Sequence, residues 1–186
     1  METYSHAFFT GVLARYGFQA SSAATTASMV GAVLPDLPAY VATAYYWNRR
    51  NSMPRKELLD AIYITGPFGR TGVLFHSVVL VGLLLGLYWL LKLWKWDRGK
   101  ILVWFLVGWA GHTLVDFLTH SDDARPLFWP ISEWKWESPI SYYDPLHYGR
   151  GFFLAEHGAI SLIILLLLSR WIIRRRRHFS KVTVGE

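Results

Sequence analysis

The segment Gly111-His112-Thr113-Leu114-Val115-Asp116-Phe117-Leu118-Thr119-His120 sets two imidazoles and a carboxylate four residues apart inside an otherwise apolar run. Positions four apart lie one turn above each other on a helix, so His112, Asp116 and His120 form a single polar stripe. Imidazole nitrogens and carboxylate oxygens suit zinc or a similar divalent ion. At membrane depth an ionisable group costs about 3 kcal/mol even on the mildest scale, so such a stripe turns into a bundle, where it pairs or binds an ion. The chain has no Cys, so any metal must be held by His, Asp and Glu. Three further residues have suitable side chains. Asp36 stands between Pro35 and Pro38, which disfavour helix around it and present it from a break; the same residues read equally as a turn between two short helices. His76 follows Phe75 near the start of an apolar run, and alone it is compatible with a packing role. His6, taken alone, reads as a surface or interface histidine.

The elements that must position these side chains are membrane-like. The 186 residues are 53% hydrophobic and 17% aromatic, and the mean hydropathy is +0.23, which is apolar for a soluble domain of this length. The expected fold is all-α: one membrane-embedded helical bundle over residues 1–186, with one broken helix and an amphipathic N-terminal helix. Met1 to Phe18 lacks the features of a cleaved signal peptide, and Phe8, Phe9, Val12 and Leu13 form its apolar side. Ala20 to Trp47 is the broken segment, interrupted at Leu34-Pro35-Asp36-Leu37-Pro38. Broken helices at membrane depth occur where they are buried in protein or line a polar cavity. Asn48 to Arg70 is a basic connection whose Leu58 to Ile64 run is too short to span. Spans are expected at 71–91, 101–119 and 151–173, since about 20 apolar residues cross the hydrocarbon core. Residues 120–150 make a Pro- and Trp-rich outer loop over the site, and 174–186 a basic tail whose Arg174 to Arg177 stops the third span.

Charge then orients the bundle. The formal net charge of +6 is concentrated in short basic clusters between apolar segments, a pattern of membrane orientation rather than of nucleic-acid binding. The clusters Lys92 to Lys100 and Arg174 to Arg177 are separated by two spans and share a side, which the positive-inside rule makes cytoplasmic. The spans starting at 71 and 151 then begin outside, and His76, His112, Asp116 and Glu156 all fall in the outer leaflet at about 1.5 Å of rise per residue. The basic stretch Arg49 to Lys56 runs against this topology, because it too falls outside unless the broken Ala20 to Trp47 segment or the Leu58 to Ile64 run re-enters the membrane. The expected location is a prokaryotic inner membrane, with the C-terminus cytoplasmic and the site facing outward.

The order of residues resembles a known family. His6, Gly31-Ala32-Val33-Leu34-Pro35-Asp36, Phe75-His76-Ser77, the Gly111 to Asp116 segment and Leu127-Phe128-Trp129-Pro130-Ile131-Ser132 look like the membrane-bound metal-dependent hydrolase family that includes LexA-regulated inner-membrane proteins. The likeness covers residues 6 to 132 and implies a distant similarity to zinc-dependent phospholipase C and related nucleases. By that resemblance His6, Asp36, His76, His112 and Asp116 are metal ligands; His120 stands where the family pattern is looser. Leu37 departs from the family at a position that is often acidic, and Phe75 at one that is usually Thr.

Such a set suits one or two zinc or similar ions, with a bridging Asp where there are two. Glu156 or His157 is a candidate general acid/base or extra ligand, and Arg70 a candidate contact to an anionic substrate; Asp144 and His147 read as ordinary loop residues. The expected function is a membrane-embedded, divalent-metal-dependent hydrolase that cleaves a phosphoester in a lipid or lipid-linked substrate. The alternative is a non-enzymatic metal-binding membrane protein, a transporter or a sensor. A continuous polar track would favour that alternative, and Val78 to Leu91 and Ile101 to Ala110 contain no charged residue.

Overall fold

The computed structural model describes residues 1–183, with side chains through residue 176. The fold is all-helical, and among the described residues there is no strand. Helices α1 (Thr3–Val12), α2 (Ser22–Val33), α3 (Leu37–Tyr46), α4 (Arg55–Asp60), α5 (Gly69–Phe75), α6 (Val78–Leu90), α7 (Ile101–Thr119) and α8 (Gly149–Thr183) follow in chain order. Two of them contain stretches long and apolar enough to cross a membrane, Ile101–Thr119 and Gly149–Arg176, and α5 with α6 makes a third if the bent pair is one span.

The centre of the bundle is the packing of α2 on α7, and glycine makes it possible. A Cβ on Gly31 would lie 2.0 Å from the Phe105 carbonyl oxygen, and one on Gly108 would lie 1.9 Å from that of Ser28. The two backbones therefore touch where neither helix has a side chain, the small-residue packing that replaces hydrophobic driving force in membranes. Ser28, Gly31 and Ala32 on one side and Gly108 and His112 on the other are all buried. Helix α1 lies against both, and its buried residues are Ser5, His6 and Gly11, whereas Leu13 of the expected apolar side is 57% exposed.

The Pro-flanked break is present: Leu34–Asp36 is a 3-10 turn between α2 and α3. A second break, unsignalled by proline, falls inside the expected 71–91 span, where α5 and α6 meet at 52°. Ser77 is extended there, its Oγ accepting the Val79 N–H at 3.1 Å and donating to the Trp129 carbonyl, while the Val78 N–H reaches the Leu127 carbonyl at 3.0 Å. Of the backbone groups freed by the bend, the Val78 N–H is thus satisfied from the 126–130 turn and the Val79 N–H by the Ser77 hydroxyl, as a buried break requires.

At the far end of α7, Asp97 caps the helix by accepting the N–H groups of Ile101, Leu102 and Val103, so the Lys92 to Lys100 connection is anchored as well as basic. At the near end the 120–150 loop covers the helix terminus. The Ser138 N–H bonds the His120 carbonyl at 2.9 Å, the Ser138 hydroxyl that of Leu118 at 2.7 Å, and the Tyr142 N–H that of Thr119 at 3.1 Å. These contacts satisfy carbonyls that a helix C-terminus leaves open. Within the loop Asp144 and His147 bind each other at 2.6 Å, and this bond holds the Asp144 carboxyl below its usual range. Helix α8 starts at Gly149 and continues through Arg174, Arg175 and Arg176; the arginines end its apolar run and not its helix. The rest of the basic tail, 184–186, lies outside the described residues.

Candidate metal centre

Each metal-ligand candidate is presented by one of these features. Asp36 sits at the 3-10 turn, where an N-terminal Asp would ordinarily cap its own helix; it makes no such bond. Its Oδ2 instead accepts the Thr3 hydroxyl, and its Oδ1 faces the bundle. His76 ends α5 at the bend, and His112 lies on the α7 face that packs on α2.

The two imidazoles are fixed by their far nitrogens. His76 Nδ1 donates to the Gly72 carbonyl and His112 Nδ1 to the Ala32 carbonyl, each at 2.7 Å. A carbonyl only accepts, so both rings carry a proton on Nδ1, and as neutral imidazoles they turn an Nε2 lone pair inward, the arrangement that orients ligating histidines. Those two Nε2 atoms are 3.1 Å apart. Asp116 Oδ2 lies 3.1 Å from His112 Nε2 and 3.3 Å from His76 Nε2, and Asp36 Oδ1 lies 3.6 and 3.5 Å from the same atoms. Four acceptors thus converge, all within 4.8 Å of one another. Two Nε2 atoms facing at 3.1 Å need a proton or a metal ion between them. Metal bonds of about 2.0–2.1 Å in a tetrahedron put neighbouring ligand atoms roughly 3.3 Å apart, so the spacing of this donor set fits a zinc-sized divalent ion.

Two further histidines press on Asp116. His6 is 2% exposed, stacks on the His112 ring at 3.9 Å, and sets its Nε2 2.8 Å from Asp116 Oδ1, off the line of a hydrogen bond. His120 Nε2 lies 3.3 Å from Asp116 Oδ2, and its Nδ1 binds Asp123 Oδ2 at 2.7 Å. Asp116 therefore offers one oxygen to His76, His112 and His120 and the other to His6 and the N-terminal ammonium of Met1. His6 and His120 surround the four-residue group without belonging to it.

Glu156 and His157 are not in the four-residue group. Glu156 is buried, and its Oε1 accepts the Glu2 N–H at 3.3 Å; His157 stacks on Phe153 and bonds the Tyr4 hydroxyl. Both tie α8 to α1. Arg70 is exposed and lines a groove with Arg125.

A cavity of about 150 Å³ opens beside the cluster, bounded among others by Asp36, Tyr63, His120, Asp123, Arg125 and Tyr142. Burial, with Asp123 nearby, pushes the Tyr142 phenol above its ordinary range, so it remains a neutral hydroxyl. Because Tyr63 shares this cavity, the 48–70 connection lies at the site end of the molecule. Sequence reasoning missed Thr3, Tyr63, Asp123, Arg125 and Tyr142. The spacing His120-x-x-Asp123 could have suggested Asp123, as a carboxylate one turn beyond a ligand candidate.

Fold and site together define a helical membrane protein with a buried His/Asp cluster able to hold a metal ion. The chain belongs to the YdjM inner membrane protein family, whose model matches residues 1–179, and thereby to the LexA-regulated membrane-bound metal-dependent hydrolases. Neither the curated proteins nor the solved structures contain a match.

Proposed function

We propose that the protein is a zinc-type hydrolase that cleaves a phosphoester in a lipid or lipid-linked substrate at the outer leaflet of the inner membrane. The observation that carries this reading is the meeting of two Nδ1-protonated imidazoles and two carboxylates beside an open cavity. Asp36, His76, His112 and Asp116 would hold the ion, with His6 on the second oxygen of Asp116, and with His120, oriented by Asp123, on the cavity side. A bound divalent ion supplies Lewis acidity toward a phosphoryl oxygen and lowers the pKa of water.

The chain's own residues do the rest. The Gly72 and Ala32 carbonyls keep His76 and His112 in one tautomer, and Thr3 holds Asp36 toward them. Tyr63 and Tyr142 wall the cavity. The cluster lies at the end of α7 remote from Lys100, and the start of α8 is at the same end through the Glu156 and His157 contacts to α1. A site near the ends of spans suits a substrate whose headgroup sits at that level.

The test is a hydrolysis screen of purified protein on phospholipids and isoprenoid phosphates, with and without chelator. Headgroup or phosphate release that the chelator stops and added zinc restores is the expected result. Bound metal with no hydrolysis, together with metal uptake into protein-containing vesicles, would replace the hydrolase by a transporter.

A further inference from the structure

Arg125 is used by nothing described so far. Its side chain is only 9% exposed, and its nearest carboxylate oxygen, Asp116 Oδ2, is 4.0 Å from Nη1. Buried arginine and carboxylate normally meet as a two-bond fork at about 2.7–2.9 Å. Here, among the described residues, Arg125 donates no hydrogen bond, and its buried Nε has no partner. Its guanidinium lies 5.6 Å from the centre of the Tyr63 ring, which steadies the charge without neutralising it. Burying a cation with its Nε donor unfilled is costly.

Arg125 also stands between two spaces. One is the cavity beside the metal cluster. The other is a groove of about 450 Å³ with Ile64, Val73 and Trp129 on its apolar side, Arg70 and Lys135 as cations, and Glu133 as its acid. Once a divalent ion offsets the carboxylates of Asp36 and Asp116, and with Asp123 engaged by His120, Arg125 keeps a full positive charge facing the place a substrate must occupy. Its planar donors match the oxygens of a tetrahedral phosphate.

Resting on the hydrolase reading above, we infer that Arg125 is an anion-binding residue that holds a phosphoryl oxygen beside the metal, and that the Arg70/Lys135 groove is the path along which a phosphate-bearing amphiphile reaches it. The ligand chemistry is a phosphate group, either free or on a lipid.

The experiment is calorimetric titration of zinc-loaded protein in detergent with inorganic phosphate and, separately, with dioctanoyl phosphatidate. Zinc content and thermal unfolding are measured on every sample. Arg125→Gln should weaken phosphate binding about tenfold or more, the loss of a charge-assisted bond, and Arg125→Lys should be intermediate, both with zinc retained. Arg70→Gln with Lys135→Gln should weaken phosphatidate alone, which identifies the lipid as the source; equal loss for both ligands, or for neither, would remove the groove from the proposal. Unchanged phosphate affinity in Arg125→Gln, no phosphate binding by the native protein, or zinc lost together with Arg125 would overturn the anion site, the last making Arg125 a counter-ion of the cluster. Arg125-dependent phosphate binding by a native protein that hydrolyses nothing would leave the anion site standing and remove the hydrolase.

Discussion

At the scale of residues, the centre depends on which groups touch the shared carboxylate and what orients them. His120 reaches Asp116 from the cavity side and is itself held by Asp123. Removing a group that orients a metal ligand costs about 10–100-fold in metal affinity. Asp123→Asn and His120→Ala should therefore weaken zinc binding by about that factor without abolishing it, as read by competition with a chromophoric chelator; unaltered affinity in both would take His120 out of the site. Much of this cluster was legible. His112 and Asp116 follow from four-residue spacing on one helix, whereas the flanking prolines placed Asp36 at a break and only the family resemblance made it a ligand. Arg125 was not legible, because a single Arg in a polar loop has no periodicity that fixes its direction. Only the fold of 120–130 back onto the α5–α6 bend buries it. Glu156 was chosen for its expected depth, yet depth does not determine azimuth, and its helix turns it to Glu2.

At the scale of elements, the α2–α7 contact sets the site, because the Ala32 carbonyl that fixes His112 belongs to it. Gly108→Ala puts a methyl where the Ser28 carbonyl stands, and a backbone clash is not relieved by a rotamer change. It should destabilise the protein by about 1–3 kcal/mol and lower zinc binding with it. Gly86→Ala meets nothing within 4 Å and should be neutral or stabilising by up to about 1 kcal/mol, since alanine is the better helix former. Thermal unfolding in detergent compares the two, and equal effects would mean that the helices do not pack through Gly108. Hydropathy located α7 and α8 well. It did not show the bend at His76 and Ser77, because what stabilises that bend is the carbonyls of Leu127 and Trp129, some fifty residues away.

At the scale of the whole molecule, charge is divided between two ends. Lys92, Lys95, Arg98 and Lys100 lie at the end of α7 opposite the cluster, and Arg174 to Arg176 at the far end of α8. The basic 48–70 connection shares the site end through Tyr63. With no native Cys, Ser132→Cys and Lys95→Cys can be labelled singly in intact cells with an impermeant thiol reagent. Position 132 should label from outside and position 95 only after permeabilisation; the reverse would turn the site, and its substrates, toward the cytoplasmic leaflet. That result would leave the metal centre untouched. The centre itself is tested most directly by elemental analysis of the purified protein and of its His112→Ala and Asp116→Ala variants, all shown to be folded and membrane-inserted. The native chain should carry a stoichiometric divalent metal that both variants lose; a native protein without metal, or full retention in both variants, would contradict it.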